Sequence, residues 1–282
     1  MDMKAMASEA GTRIPAPALV VFGLLGLQGG AALSTVLFPL VGASGVVTLR
    51  LAGAALVLLV WTRSFVWPEA QVGWLIAACG ALLCVHHLAY YTAVSRLPLG
   101  MATTLEFIGP LMLALSASRG ARDIAAAGLA ALGVLALTGN AWAAEPIGIT
   151  CGLVAGACWA SYIVLSKKLA HGERAAFRLG LVMVVGALLS LPLGIGAGGT
   201  ALLQPTVLAV GLGVAVMSSV MPYGLQLIAI RRLSPGVFGV LVSLEPAIGA
   251  LVGLVALGQA LDVTQWAGVI AVAAASILAT RR

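Results

Sequence analysis

The sequence predicts an all-α membrane protein, with ten transmembrane helices arranged as two inverted five-helix repeats and both termini cytoplasmic. Three observations carry this. Hydrophobic residues make up 61% of the 282 and charged residues only 9%, with a mean hydropathy of +1.11; a soluble domain carries roughly 25% charge, so this chain cannot cover itself against water. Its apolar residues come in runs of about 20, the length of one bilayer crossing, without the polar–apolar alternation of a barrel strand. Finally, one pattern occurs twice, as Arg96–Pro110 (RLPLGMATTLEFIGP) and Arg232–Pro246 (RLSPGVFGVLVSLEP). Both copies begin Arg-Leu, carry Gly at the fifth position and Pro at the fifteenth, and hold one acid in an otherwise apolar run.

In chain order, residues 1–16 form a short cytoplasmic N-terminal segment of mixed charge. The apolar run at 17–40 is too long for a signal-peptide core and is expected to be a retained first helix. Breaks at charge, Pro or Gly place spans at 17–38, 45–62, 71–93, 98–118, 122–140, 147–167, 175–195, 205–229, 235–257 and 263–280. Connections are short, so no soluble domain is expected. The Gly-rich, uncharged segment 192–205 is the longest linker.

Charge placement sets the orientation. With the N-terminus in the cytoplasm, Lys4, Arg13, Arg63, Arg119, Arg122, Lys167, Lys168, Arg174, Arg178, Arg231, Arg232, Arg281 and Arg282 all fall on the cytoplasmic side. Arg96 alone falls outside, and Arg50 lies within span two. This is the positive-inside bias, and it accounts for the net charge of +6 without any nucleic-acid partner. Trp61, Trp67 and Trp74 mark the inner boundary and Trp142 and Trp266 the outer one.

The duplication extends beyond the repeated pattern. Gly26-x-x-x-Gly30-Ala31 matches Gly152-x-x-x-Gly156-Ala157, and Arg50-Leu51 matches Arg178-Leu179, in the same order along the chain. The units are 17–140 and 147–280. Five spans is an odd number, so the second unit runs upside down relative to the first, the plan of secondary transporters whose substrate sites lie near the midplane between repeats.

Glu106 lies about eight residues, or roughly 12 Å, into its span and Glu245 about ten residues into its own, both near the middle of a core about 30 Å thick. A buried acid there faces protein or water. It could bind a substrate ammonium, carry a proton, or join helices as a hydrogen-bonded structural group. Pro110 and Pro246 each remove a backbone donor and are expected to break their helices. Arg50 could hold a substrate carboxylate, pair with Glu106, or snorkel to the interface. His86 and His87 lie at a depth close to that of Glu106; adjacent helical residues point about 100° apart, so at most one faces a cavity. Either could relay a proton with Glu106 or pack between helices. Tyr90 could line the same region. Trp159 and Tyr162, three apart near the middle of span six, are candidates to line a cavity or to pack, and Tyr223 beside Pro222 is a weaker one. Ser218 and Ser219 could simply bond backbone carbonyls. The glycines of spans one, six and nine fit close helix contacts. Cys79, Cys84, Cys151 and Cys158 read as small buried hydrophobes. No metal site and no cofactor is expected: there is no phosphate-binding Gly-rich loop and no His-Glu-x-x-His helix.

These residues resemble a known family. Phe38-Pro39-Leu40, Leu49-Arg50-Leu51, Arg96-Leu97-Pro98-Leu99-Gly100, Leu105-Glu106-Phe107-Ile108-Gly109-Pro110, Pro222-Tyr223 and Ser243-Leu244-Glu245-Pro246 resemble the drug/metabolite transporter superfamily, EamA family, and within it the bacterial threonine/homoserine exporter branch. The resemblance implies a multi-pass inner-membrane exporter of amino acids or related metabolites. Family sequences end the ninth helix with Gly-Glu; here Gly258-Gln259 stands instead.

The expected function is therefore a secondary active transporter exporting threonine- or homoserine-like amino acids by alternating access and coupled to protons. Its partners would be a small-molecule substrate, the proton and the lipid bilayer. A broad-specificity drug exporter of the same superfamily is the alternative, followed by an intramembrane enzyme using His86 or His87 with Glu106.

Overall fold

The computed structural model describes residues 14–62, 70–116, 120–139, 141–169 and 175–280. The segment 1–13, Arg63, Trp67, Arg119, Arg174 and the last two arginines lie outside the described residues, as does the side chain of Trp142. The described chain is helical throughout. Its α-helices of eight residues or more are α1 (Ala16–Ser34), α2 (Phe38–Thr62), α3 (Ala70–Val94), α4 (Leu99–Ser116), α5 (Ala121–Thr138), α6 (Pro146–Ser166), α7 (Ala175–Gly198), α8 (Pro205–Ala215), α9 (Met221–Ile230), α10 (Pro235–Val242), α11 (Glu245–Leu257) and α12 (Val263–Thr280). Among the described residues, nine helical stretches are long and apolar enough to cross a membrane. The first is a 47-residue stretch, Ala16–Thr62, containing both α1 and α2.

Two breaks interrupt that stretch. A 3-10 turn spans Thr35–Leu37, and Gly42 has φ of 64° and ψ of 174°, a backbone open to glycine and strained for other residues. The packing partners show which way each part runs. Along α1, Gly23 meets Pro222 and Gln226 while Gly30 meets Ser218, so α1 runs against α9. Along α2, Leu49 meets Gly211 and Gly53 meets Ala215, so α2 runs with α8. The stretch thus doubles back on itself.

Three helix pairs pack antiparallel. In α2–α7, Thr48 lies at Gly194, Leu51 at Gly186 and Leu59 at Gly180. In α4–α11, Leu99 lies at Gly253, Gly100 at Ala250 and Thr103 at Gly249. In α5–α12, Gly133 lies at Val272 and Leu137 at Gly268. Between them, α3 packs on α6 and α7, α4 on α6, and α1 on α9 and α11. The α4–α6 contact is backbone on backbone: a Cβ at Gly109 would collide with the carbonyl of Gly156, the close approach that small residues permit where lipid supplies no hydrophobic drive between helices.

Two expectations need correction. Residues 192–205 are not a loose linker. Helix α7 continues through Pro192 to Gly198 and a 3-10 segment carries on to Leu203, because an apolar segment on the outside of the bundle, where lipid offers no hydrogen bonds, satisfies its backbone groups best by staying helical. Pro110 does not break its helix: α4 runs through it without interruption. Pro246 does sit at a break, between α10 and α11, with Ser243 and Leu244 as the turn.

Candidate functional site

Among the described residues, the mid-span acids, histidines and Arg50 collect where α1, α2, α3, α4, α9 and α11 meet. Glu106 projects from the middle of α4 with 13% of its side chain exposed. Its Oε1 lies 2.5 Å from Nε2 of His86 on α3. The hydrogen bonds around the two histidines order their protons. Nδ1 of His87 faces the Leu83 carbonyl at 2.6 Å; a carbonyl only accepts, so this Nδ1 carries hydrogen. The same Nδ1 lies 3.4 Å from Nδ1 of His86, which therefore accepts. The His86 proton is left on Nε2 and is donated to Glu106. Of the adjacent pair, His86 is the one that reaches the acid. His87 is turned back onto its own helix.

Rings extend this contact. His86 stacks on Trp159 at 5.1 Å, and Trp159 on Tyr162 at 5.5 Å. On the other side His86 lies parallel to Tyr90 at 6.3 Å. Tyr162, Trp159, His86 and Tyr90 form one column from α6 to α3, with interplanar angles of 12°, 22° and 16°. Tyr223 on α9 is part-buried within electrostatic range of Arg50, Glu106 and Glu245.

Glu245 is the first residue of α11. A carboxylate there faces the positive end of the helix dipole, and the break that exposes this end is of the kind that lines binding sites in transporters with discontinuous helices. Its Oε1 accepts a hydrogen bond from Nε2 of Gln28 at 3.4 Å. Gln28 on α1 is 1% exposed, and its own Oε1 accepts from Thr103 Oγ1 at 3.1 Å and from the Tyr90 hydroxyl at 3.4 Å. The acid of the second half is thereby tied to α1, α3 and α4 of the first.

Arg50 does not pair with Glu106 and does not snorkel. It is 6% exposed and donates to three neutral acceptors: Tyr91 hydroxyl at 3.0 Å, Ser218 carbonyl at 3.0 Å and Ser219 Oγ at 3.3 Å. It also lies over the Tyr91 ring, 5.6 Å from the centroid. The Ser218 carbonyl is available because Pro222, four residues on, has no N–H to donate. There the chain takes a π-helical turn over Val216–Val220, a distortion frequent at functional sites. Ser219 thus accepts from Arg50 through its side chain instead of donating to a backbone carbonyl, and among the described residues the buried Ser218 hydroxyl has no hydrogen-bond partner.

Sequence reasoning passed over Gln28, Tyr91 and Thr103. Gln28 carried a signal of the same kind as Glu106: it is the one amide side chain in the apolar run of span one. Thr103 stands one turn before Glu106, and Tyr91 follows Tyr90. Gln259, at the family's usual Glu position, accepts from the Leu99 backbone N–H at 2.8 Å and caps α4 across the two halves. All four cysteines are free thiols. Among the described residues no three His, Cys, Asp or Glu side chains converge as metal ligands.

The chain has clear relatives. The model of the EamA-like transporter family matches residues 146–281. The threonine/homoserine exporter RhtA of Escherichia coli strain K12 is 37% identical over 266 residues, 93% of this chain and 90% of that protein. The protein of the same name from Salmonella typhimurium strain LT2 is 36% identical over the same shares. One crystal structure superposes with a TM-score of 0.64 over 94% of this chain and 96% of its own, at 15% identity, a likeness of fold alone. A multi-pass helical membrane architecture and identity at this level across nearly the full length of both relatives lead to one conclusion: the chain belongs to the EamA-like transporter family.

Proposed function

We propose that the protein is a secondary active transporter that exports threonine- or homoserine-like amino acids, or related small metabolites, by proton-coupled alternating access. The observation that carries this is the gathering of two mid-span carboxylates from opposite halves of the chain in one buried region: Glu106 bonds His86, Glu245 is tied through Gln28 to Tyr90 and Thr103, and the two clusters meet where the Tyr90 ring stacks on His86. An acid held in a membrane interior is costly unless it works on an ion, a proton or a substrate. Here the acids, with carbonyls freed at the prolines, would take the ammonium group and the coupling proton, and Arg50 would meet the carboxylate. The names of the relatives supply the substrate class.

The scaffold for this is ten crossings in two inverted repeats, 17–140 and 147–280, in the inner membrane with both termini cytoplasmic. The doubling back of Ala16–Thr62 supports counting α1 and α2 as separate spans. The packing supports the inverted repeat. Exchanging the halves, so that α2 takes the place of α7, α4 of α10–α11 and α5 of α12, carries the α3–α6 contact onto α1–α9 and the α4–α6 contact onto α1–α11. The antiparallel run of α2–α7, α4–α11 and α5–α12 is what a two-fold axis in the membrane plane requires. The basic residues support the orientation.

The test is efflux of labelled threonine and homoserine from proteoliposomes, with a pH dye inside. The native protein should move both substrates against a gradient when a proton gradient is imposed. Glu106→Gln should abolish that coupled movement while the protein still folds and inserts; unchanged coupled efflux would remove Glu106 from the mechanism. The column Tyr162–Trp159–His86–Tyr90 favours a second reading, broad export of aromatic cations, and ethidium efflux from the same vesicles separates the two.

A further inference from the structure

We infer that Gln28 is a positioning residue that relays the protonation state of Glu245 to the Tyr90–Thr103 hydroxyl pair, and so couples the acid of the second half to the His86–Glu106 pair of the first. This rests on the transport reading above and adds to it the residue that links the proton to the substrate.

The argument is one of donors and acceptors. A carboxamide donates at one end and accepts at the other. An ionised Glu245 only accepts, so it holds Nε2 of Gln28 toward itself and Oε1 toward the hydroxyls, which is the arrangement seen. A proton taken up on Oε1 of Glu245, the oxygen that faces Gln28, turns that oxygen into a donor. The amide then satisfies its neighbours by turning over, with Oε1 to Glu245 and NH2 to Tyr90 and Thr103. Both hydroxyls change from donors to acceptors, and their hydrogens rotate to other acceptors. No bond to carbon is made or broken; one proton is bound and the polarity of the chain of hydrogen bonds reverses. Tyr90 and Thr103 are themselves 3.2 Å apart. Tyr90 stands one turn from His86 on α3 and is stacked with it, and Thr103 stands one turn from Glu106 on α4, so the reversal is delivered beside the His86–Glu106 hydrogen bond.

The surroundings of Glu245 leave this route distinct. Gln28 from α1 bonds Glu245, and Glu106 from α4, Tyr90 from α3 and Tyr223 from α9 lie within electrostatic range of it. Helices α10 and α12 contribute no titratable side chain. In a low-dielectric interior a fully satisfied polar chain of this kind is strongly directional.

The test uses the full-length protein in proteoliposomes with Gln28→Met, which keeps the length and loses the hydrogen bonds, and Thr103→Val, which removes one hydroxyl at constant shape. Each is read in two assays: proton-driven efflux of threonine, and threonine counterflow at equal pH on both sides. Loss of the relay should lower proton-driven efflux by about tenfold, within the usual span of coupling between sites, and leave counterflow close to native. Gln28→Glu, which places a second acid against Glu245, should move the midpoint of the pH profile of efflux. A parallel fall of efflux and counterflow in both neutral variants, with the pH midpoint unmoved in Gln28→Glu, overturns the relay and leaves Gln28 a packing residue. Native protein that shows counterflow without proton movement overturns proton coupling and the relay together. Native protein that shows neither overturns the transport reading itself.

Discussion

Helices α4 and α10–α11 carry matching sequences, RLPLGMATTLEFIGP and RLSPGVFGVLVSLEP, and fold differently. The first is one continuous helix through Pro110. The second stops at Val242 and restarts at Glu245, beside Pro246. The residue before each proline differs in the way that matters. Proline clashes with the N–H and Cβ of its predecessor in the helical conformation; Gly109 has no Cβ, and Glu245 has one. At matched positions Glu106 corresponds to Val242, and Glu245 to Gly109. One substitution therefore places an acid at a helix start and helps to open the break that receives it, while the glycine at the other site lets α4 stay whole and lie backbone to backbone on α6. A duplicated scaffold has acquired a lopsided site.

The largest expected effect comes from removing that glycine. Gly109→Leu puts a side chain where the Gly156 carbonyl sits, and α4 must leave α6. The cost should exceed the roughly 1–3 kcal/mol typical of overpacked cores and show as loss of folded protein in detergent. Recovery of a stable, active variant would mean that the α4–α6 contact does not hold the site.

The second effect concerns the two ends of the same pair. The N-terminal half of α4 is clasped against α11, with Leu99 Cβ 3.3 Å from where a Cβ on Gly253 would stand, and with Gln259 capping α4. Among the described residues, the opposite half of α4 makes no comparable contact with α10. In a background with the four native cysteines replaced, Leu99→Cys with Gly253→Cys should cross-link readily, since the spacing is near that of a disulfide, and should block transport. The proposed repeat makes Leu113 and Gly239 the counterparts of Gly249 and Thr103. Cysteines at that pair should cross-link only under conditions that favour the opposite-facing state. Equal trapping of both pairs in all conditions would break the comparison.

Third come the prolines. Pro110→Ala restores a donor to a helix that is already continuous and should leave efflux near native, with stability unchanged or raised. Pro246→Ala restores an N–H for the Val242 carbonyl to accept and removes a residue that would cost about 3 kcal/mol inside a continuous helix. It should let α10 and α11 join, displace Glu245 from its helix start, and reduce coupled efflux without lowering the melting temperature. Similar efflux in the two variants would mean that the break plays no part.

The smallest effect lies outside the spans. Asp262 precedes α12, where its carboxylate accepts from Thr264 Oγ1 at 2.6 Å and from the Gln265 N–H at 2.8 Å, while Gln265 returns a bond to the Asp262 N–H. This capping box holds the Asp262 carboxyl below its ordinary range, through the Thr264 hydroxyl first and the Gln265 N–H second. A depressed acid adds stability above its ordinary pKa and loses it as pH falls through the folded value. Asp262→Ala should lower the melting temperature slightly at neutral pH, and the difference should shrink in acid.

Much of this could be read along the chain, because the bilayer constrains it. A run of about 20 apolar residues has few options but helix, so the positions of the helices follow from composition and length. A charged side chain in such a run needs a partner, so Glu106, Glu245, Arg50 and His86 stand out by their cost alone. Their partners depend on contacts that one-dimensional spacing does not contain. Arg50 neither pairs with Glu106 nor snorkels; it bonds the carbonyl that Pro222 leaves open four residues earlier, beside a π turn no periodicity announces. Gln28 was hidden because an uncharged amide is inexpensive enough to pass as packing. It becomes central when α1 is laid against α11 and α4, 217 residues away from Glu245 in sequence. Burial cost belongs to each residue and is written in the sequence; the direction in which a hydrogen bond points belongs to a pair, and only the packing of helices across the two halves brings those pairs together.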